Sequence, residues 1–274
     1  MIKDIVVHLT GSSEDKFRLD CAEKLAGRFD AHLTGLLVHI EPEIVAMPEA
    51  GYADVLQSLV AEALEKTEQR RAILAKRFSE MVVPGDLRVV SGLRGTVGDE
   101  LAAEARTSDL FVGTRPYGDP DRGHRIEEGV LFKSGRPCVL LPPEQVVPFD
   151  FETVLVAWKN TRESARAVRD AIPFLQKART VTVVLSTGEP DEERRASSGA
   201  DIARYLSRHG VTCEVRELSG WHAAQDALLN EIEATQAQLV VAGAFGHSRL
   251  QERLLGGVTR ALLERCPVPV LVSR

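Results

Sequence analysis

Leu239-Val240-Val241-Ala242-Gly243-Ala244-Phe245-Gly246-His247-Ser248-Arg249-Leu250-Gln251-Glu252-Arg253-Leu254-Leu255-Gly256-Gly257-Val258-Thr259-Arg260 decides how the rest of the chain is read. Its first four residues form a short apolar run, the mark of a strand buried on both faces. Gly243 and Gly246 then make a turn that lets backbone come close to a ligand. Gly256-Gly257 opens a helix expected from about Val258 to Arg265. Unpaired N–H groups and the positive end of a helix dipole at such a start suit phosphate.

Outward from that stretch, the chain alternates strands with helices. In the first half, strands are expected at Ile5–Leu9, Leu33–His39, Leu87–Ser91, Asp109–Gly113 and Cys138–Leu141. Thr10-Gly11-Ser12-Ser13 offers a cap for the first helix. A long amphipathic helix is expected from about Ala53 to Met81, and a short one from Leu101 to Arg106. Pro142-Pro143 closes this half. The pattern then restarts, with strands at Thr153–Trp158, Thr180–Leu185, Thr212–Arg216, Leu239–Ala242 and Pro269–Val272. Thr161 is placed to cap the helix that follows the first of these. Two such copies make an internal duplication, divided here as 1–147 and 148–274. Alternating strands and helices mean parallel sheets covered on both faces. Ligands in such sheets bind beyond the carboxyl ends of the strands.

Composition narrows the function classes. The 274 residues are 44% apolar and 27% charged, enough for two cored domains. A net charge of −6 and 5% aromatic residues give no basic face and few stacking platforms, so no nucleic-acid partner is expected. No apolar run approaches the roughly 20 residues that span a bilayer, and no signal peptide is read at Met1–His8. A cytoplasmic protein without membrane attachment is expected. Cys21, Cys138, Cys213 and Cys266 are scattered and read as small buried apolar residues.

The spacing Gly-x-x-Gly, nine residues, then Gly and a small residue resembles the nucleotide-binding signature of the universal stress protein family. The tail Leu262 to Arg274 looks like that family's closing helix and last strand. The resemblance implies a tandem member: two five-stranded parallel open α/β sheets, Rossmann-like and of the adenine nucleotide alpha hydrolase type. It also implies last strands that pair across a pseudo-two-fold axis within the chain, with a homodimer as a further option. It implies a stress-response protein binding ATP or a related adenine nucleotide in the C-terminal domain, with Mg as a companion of the nucleotide. The phosphates would lie on backbone N–H groups of Gly246, Gly256, Gly257 and Val258, with Gly243 in the turn of the same site, the adenine near Ala157 and Leu185, and His247 would touch phosphate or ribose.

Two departures from the family pattern bear on that site. Members carry Ser or Thr after the third glycine, where this chain has Gly257; Thr259 is the nearest substitute hydroxyl. Members place Asp after the first strand, where this chain has Thr10 in one half and Lys159 in the other, and Lys159 can serve phosphate directly. The first half's Gly113–His124 stretch lacks the glycine spacing and carries two prolines; Arg115 and Arg122 there suit a different anion or only a solvated loop. His8 and His39 end neighbouring strands, which makes a shared metal or acid–base pair conceivable; packing is the plainer reading. Trp158 and Trp221 read as core residues or as platforms for a base. No Walker, dinucleotide, hydrolase or zinc-protease motif is present. A protein- or apolar-ligand-binding module that takes no nucleotide, and a weak ATPase, stand as the alternatives.

Overall fold

The computed structural model describes residues 1–43, 52–116, 126–143, 149–185, 192–218, 224–244 and 257–274; at 52, 53, 192–197 and 224 it describes the backbone alone. The chain forms two compact units. One holds Ile2–Gly113 and the helix Ile126–Lys133; the other runs from Gly135 onward and takes in Thr114, Arg115 and Pro116.

The N-terminal unit runs β1 (Asp4–Leu9), α1 (Glu14–Phe29), β2 (His32–Glu41), α2 (Tyr52–Ser79), β3 (Gly85–Leu93), α3 (Val97–Ala105), β4 (Leu110–Thr114) and α4 (Ile126–Lys133). Its strands lie in the order β3-β2-β1-β4, all parallel. Right-handed crossovers put α1 and α2 on one face and α3 and α4 on the other. Ile5 to Leu9 and all of β4 are buried, as strands covered on both faces must be.

The C-terminal unit runs β5 (Cys138–Leu141), β6 (Thr153–Trp158), α5 (Arg162–Leu175), β7 (Thr180–Leu185), α6 (Glu192–Arg208), β8 (Glu214–Glu217), α7 (Ala224–Ala234), β9 (Leu239–Gly243), α8 (Gly257–Arg265) and β10 (Val270–Ser273). Its order is β5-β10-β9-β6-β7-β8. All neighbours are parallel except β5 and β10, which run antiparallel with Leu271 opposite Val139. The two last strands of the repeat pattern therefore pair with each other, as the resemblance implied. Every residue of both is buried.

Several boundaries differ from the sequence reading for physical reasons. Helix α3 begins at Val97 rather than Leu101, because Gly98 belongs to the helix. A Cβ on Gly129 of α4 would lie 2.9 Å from the Gly98 carbonyl carbon and oxygen, so α3 and α4 meet backbone to backbone. The expected hydroxyl cap of α1 is also absent: Ser13 has helical dihedrals (φ −59°, ψ −24°) and makes no capping bond. The Asp15 carboxylate accepts from the Thr10 and Gly11 N–H groups instead, at 2.9 and 2.6 Å. Thr161 does cap α5, accepting from the Ser164 N–H.

Helix α2 is longer than the strand before it. Its Thr67 hydroxyl donates to the Ala63 carbonyl (3.0 Å) and so accepts from His39 Nδ1 (2.7 Å), pinning the helix near the end of β2. The turns before Thr67, about 20 Å at 1.5 Å per residue, run on past that point. Val55, Leu59 and Leu64 in them are half or more exposed.

The glycine contacts give opposite expectations in two helices. Gly129→Ala should cost about 1–3 kcal/mol, since neither backbone can yield easily. Among the described residues Gly27→Ala in α1 meets Val83 Cγ1 alone, at 3.8 Å, and should gain up to about 1 kcal/mol. Urea unfolding of the two variants beside the wild type checks both.

Candidate functional site

The carboxyl edge of the C-terminal unit is shaped by the ends of β6 and β9. Ala157 and Ala242 stand side by side there. Neighbours in register share a face, so both methyl groups point to one side of the sheet. Trp158 and Leu185 pair on the other side and are committed to α6. The Trp158 indole donates to Ser198 Oγ at 2.9 Å, and a Cβ on Gly199 would strike Leu185 Cδ1. Leu185 can thus serve a ligand only through its backbone, and Trp158 is a packed residue.

At the end of β9, a Cβ on Gly243 would lie 2.5 Å from the Ser164 N of α5. Gly243 therefore lets the first turn of α5 press onto the strand. Helix α8 starts at Gly257, and its first turn carries no acidic side chain. Val258 and Thr259 follow in that turn, both half-buried. The Thr259 hydroxyl donates to the Gly243 carbonyl at 3.3 Å, which ties α8 to the end of β9. Lys159, just past β6, is exposed and forms no ion pair among the described residues. Gly246, His247, Gly256 and Trp221 lie outside the described residues, as do Arg122 and His124. Arg115 donates to the Cys266 carbonyl at 2.7 Å, beside the C-terminal end of α8.

The N-terminal unit fills the matching places differently. Strands β1 and β6 are both six residues long, so His8 corresponds to Ala157. Val7 pairs with Val112, which sets His8 abreast of Gly113 as Ala157 is abreast of Ala242. Glu127 and Thr259 each stand eleven residues ahead of the following strand, in the first turn of their helices. Where the C-terminal unit has Ala157, Ala242 and Thr259, the N-terminal unit has His8, Gly113 and Glu127.

His8 Nδ1 and Glu127 Oε1 are 3.0 Å apart, and both side chains are 3% exposed. A Cβ on Gly113 would strike Phe111 Cε1 at 2.8 Å and would also crowd Glu127 Cγ at 3.2 Å. Burial alone would push the Glu127 carboxyl up. The hydrogen bond and charge of His8, the Arg18 charge and the residue's own backbone N–H outweigh it and hold the group below its ordinary value. Arg18 is buried beside them and pairs with Glu14 at 2.7 Å. The second His8 nitrogen, Nε2, is buried with no hydrogen-bond partner among the described residues.

His8 and His39 do not meet. His8 is in register with Leu36, so His39, three residues on, points to the opposite face and engages α2 while His8 engages α4. Among the described residues no group of three or more His, Cys, Asp or Glu could hold a metal ion. The idea of a shared site is therefore set aside. Sequence reading missed Glu127 and Asp15. Glu127 lies 119 residues from its partner, and its only trace was a carboxylate in the first turn of a helix facing a histidine in an apolar strand.

Because the folded carboxyl of Glu127 titrates below the unfolded one, its contribution to stability is complete above the ordinary value of 4.5 and fades as pH falls through the lowered one. Glu127→Gln should cost about 1–3 kcal/mol at neutral pH. The gap between wild type and variant should narrow below about pH 4.5. Urea midpoints measured from neutral to acid pH test this; a gap independent of pH would contradict it.

Known proteins share this architecture. The sequence profile of the universal stress protein family matches residues 150–274. A universal stress protein of Mycolicibacterium smegmatis is 32% identical over 126 residues, covering 44% of this chain and 96% of that protein. A second from the same organism is 25% identical over 292 residues, covering 98% of this chain and 96% of the relative. In structure, a universal stress protein from Archaeoglobus fulgidus DSM 4304 superposes with a TM-score of 0.76 at 18% identity, across 99% of this chain and 96% of its own. Repeated halves, strand order and relatives that span nearly the whole chain agree: the protein belongs to the universal stress protein family, in its tandem form.

Proposed function

We propose that the C-terminal unit binds an adenine nucleotide, ATP or a close relative, at the carboxyl ends of β6 and β9, and that the chain is a nucleotide-responsive stress protein of the cytoplasm. The observation that carries this is that, among the described residues, the first turn of α8 holds no carboxylate. Its first residue is Gly257, and the neighbouring strand ends carry the small side chains of Ala157 and Ala242. Helix N–H groups then have phosphate as a fitting partner. Lys159 supplies a nearby cation, and Mg would accompany the nucleotide. Gly243, Gly246, Gly256, Val258, Thr259 and His247 complete the proposed cradle, with Leu185 contributing backbone.

A second reading rests on α2. The exposed Val55, Leu59 and Leu64 on turns that run past the end of β2 suit a protein partner. It needs no nucleotide.

Calorimetry with ATP and ADP separates the two. The first reading expects saturable binding at one site, lost in Gly257→Asp, which puts a carboxylate where phosphate would sit. Among the described residues its new Cβ would press on the Gln225 side chain, whose oxygen is 2.7 Å away and free to swing aside, so the fold should survive. Absence of heat and of any thermal shift at millimolar nucleotide would end the nucleotide reading.

A further inference from the structure

The first turn of α4 is the counterpart of the first turn of α8, yet it carries carboxylates where the described turn of α8 has none. Glu127 lies back over its own backbone N–H, so its carboxylate sits on the positive end of the helix. It accepts from His8 Nδ1, a ring buried in the sheet. Gly113 lies beside the pair, where a Cβ would strike Phe111 Cε1 at 2.8 Å and come within 3.2 Å of Glu127 Cγ. In the other unit, Thr259, Ala157 and Ala242 stand at these three places, and Thr259 turns toward a main-chain carbonyl instead.

A buried carboxylate is costly unless something holds it, and here three separate groups do: an imidazole, a helix start and the nearby Arg18 guanidinium. That is the equipment of an anion-binding site. We propose that the N-terminal unit contains an oxyanion seat formed by His8 and the start of α4, and that Glu127 is its permanent, built-in occupant. The two halves are then one design used twice. In the C-terminal unit the seat is open to a phosphate oxygen from a ligand. In the N-terminal unit the chain supplies the oxyanion itself, so that half is closed to nucleotide and the protein takes one nucleotide per chain. The last clause rests on the nucleotide reading of the C-terminal unit; the seat itself does not.

The test removes the occupant and offers another. Thermal unfolding of wild type, Glu127→Ala, Glu127→Thr and the double variant H8A/E127A is followed in sodium phosphate and in sodium chloride at matched ionic strength. The vacated seat should bind inorganic phosphate. Phosphate should raise the Tm of both single variants by several degrees more than that of the wild type. The double variant should need more than tenfold more phosphate for the same rise. If the single variants do not fold in chloride, recovery of the folded circular-dichroism signal in phosphate is the readout. Single variants that respond to phosphate no more than the wild type, or a double variant that responds equally, overturn the seat. ATP titration of the wild type is run alongside. Two nucleotides per chain would overturn the closure of the N-terminal half; none would end the nucleotide reading and leave the seat to be judged by phosphate alone.

Discussion

The C-terminal unit depends on a strand of four residues. Val270 to Ser273 is buried along its whole length, so every N–H and C=O in it must find a partner inside the protein. One side of the ladder goes to β9 in parallel, the other to β5 in antiparallel. Without β5 an apolar edge would face water and invite pairing with other chains. With it, β9 is fixed from one side, and its carboxyl end, Gly243, is held where α5 and Thr259 can reach it. The geometry at the start of α8 thus follows from a pairing between segments about 130 residues apart in sequence.

Much of this was legible in the chain. Short apolar runs at even spacing gave the strands almost residue for residue: β6 and β7 fall where periodicity puts them. The repeat gave two halves of like order, because hydrophobic pattern is set by burial and burial is set by the layers. What stayed hidden depended on backbone or distant side chains. The helix expected from Leu101 starts earlier, at Val97, and takes in Gly98, whose backbone is approached so closely by Gly129 of α4 that a Cβ on Gly129 would clash. The hydroxyls before α1 suggest a cap, but the side-chain bonds at this end run the other way: Asp15, inside the helix, accepts from the Thr10 and Gly11 N–H groups that precede it.

The site was legible only in half. Glycine spacing and the family resemblance mark the C-terminal candidate; of its residues Ala157, Gly243 and Thr259 lie at one edge, while Gly246, His247 and Gly256 lie outside the described residues. The N-terminal half looked merely degenerate, since its glycines are missing. Its own arrangement joins a strand residue to a helix residue far away, and no local pattern announces such a pair. Superposing the two halves by register, rather than by motif, brings it out: three positions differ together, and each change fits the other two.

Helix α2 has a different consequence. Its second half lies against the sheet, where Thr67 and Leu74 are buried, while residues 54–66 contain no buried side chain. Isolated helices of that length are barely stable in water. The first half is therefore ordered by continuation from a clamped segment rather than by its own packing, and the His39–Thr67 bond is the point from which order spreads. Amide protons should reflect this as a gradient along one unbroken helix: slow exchange from Thr67 toward Ser79, and progressively faster exchange toward Tyr52.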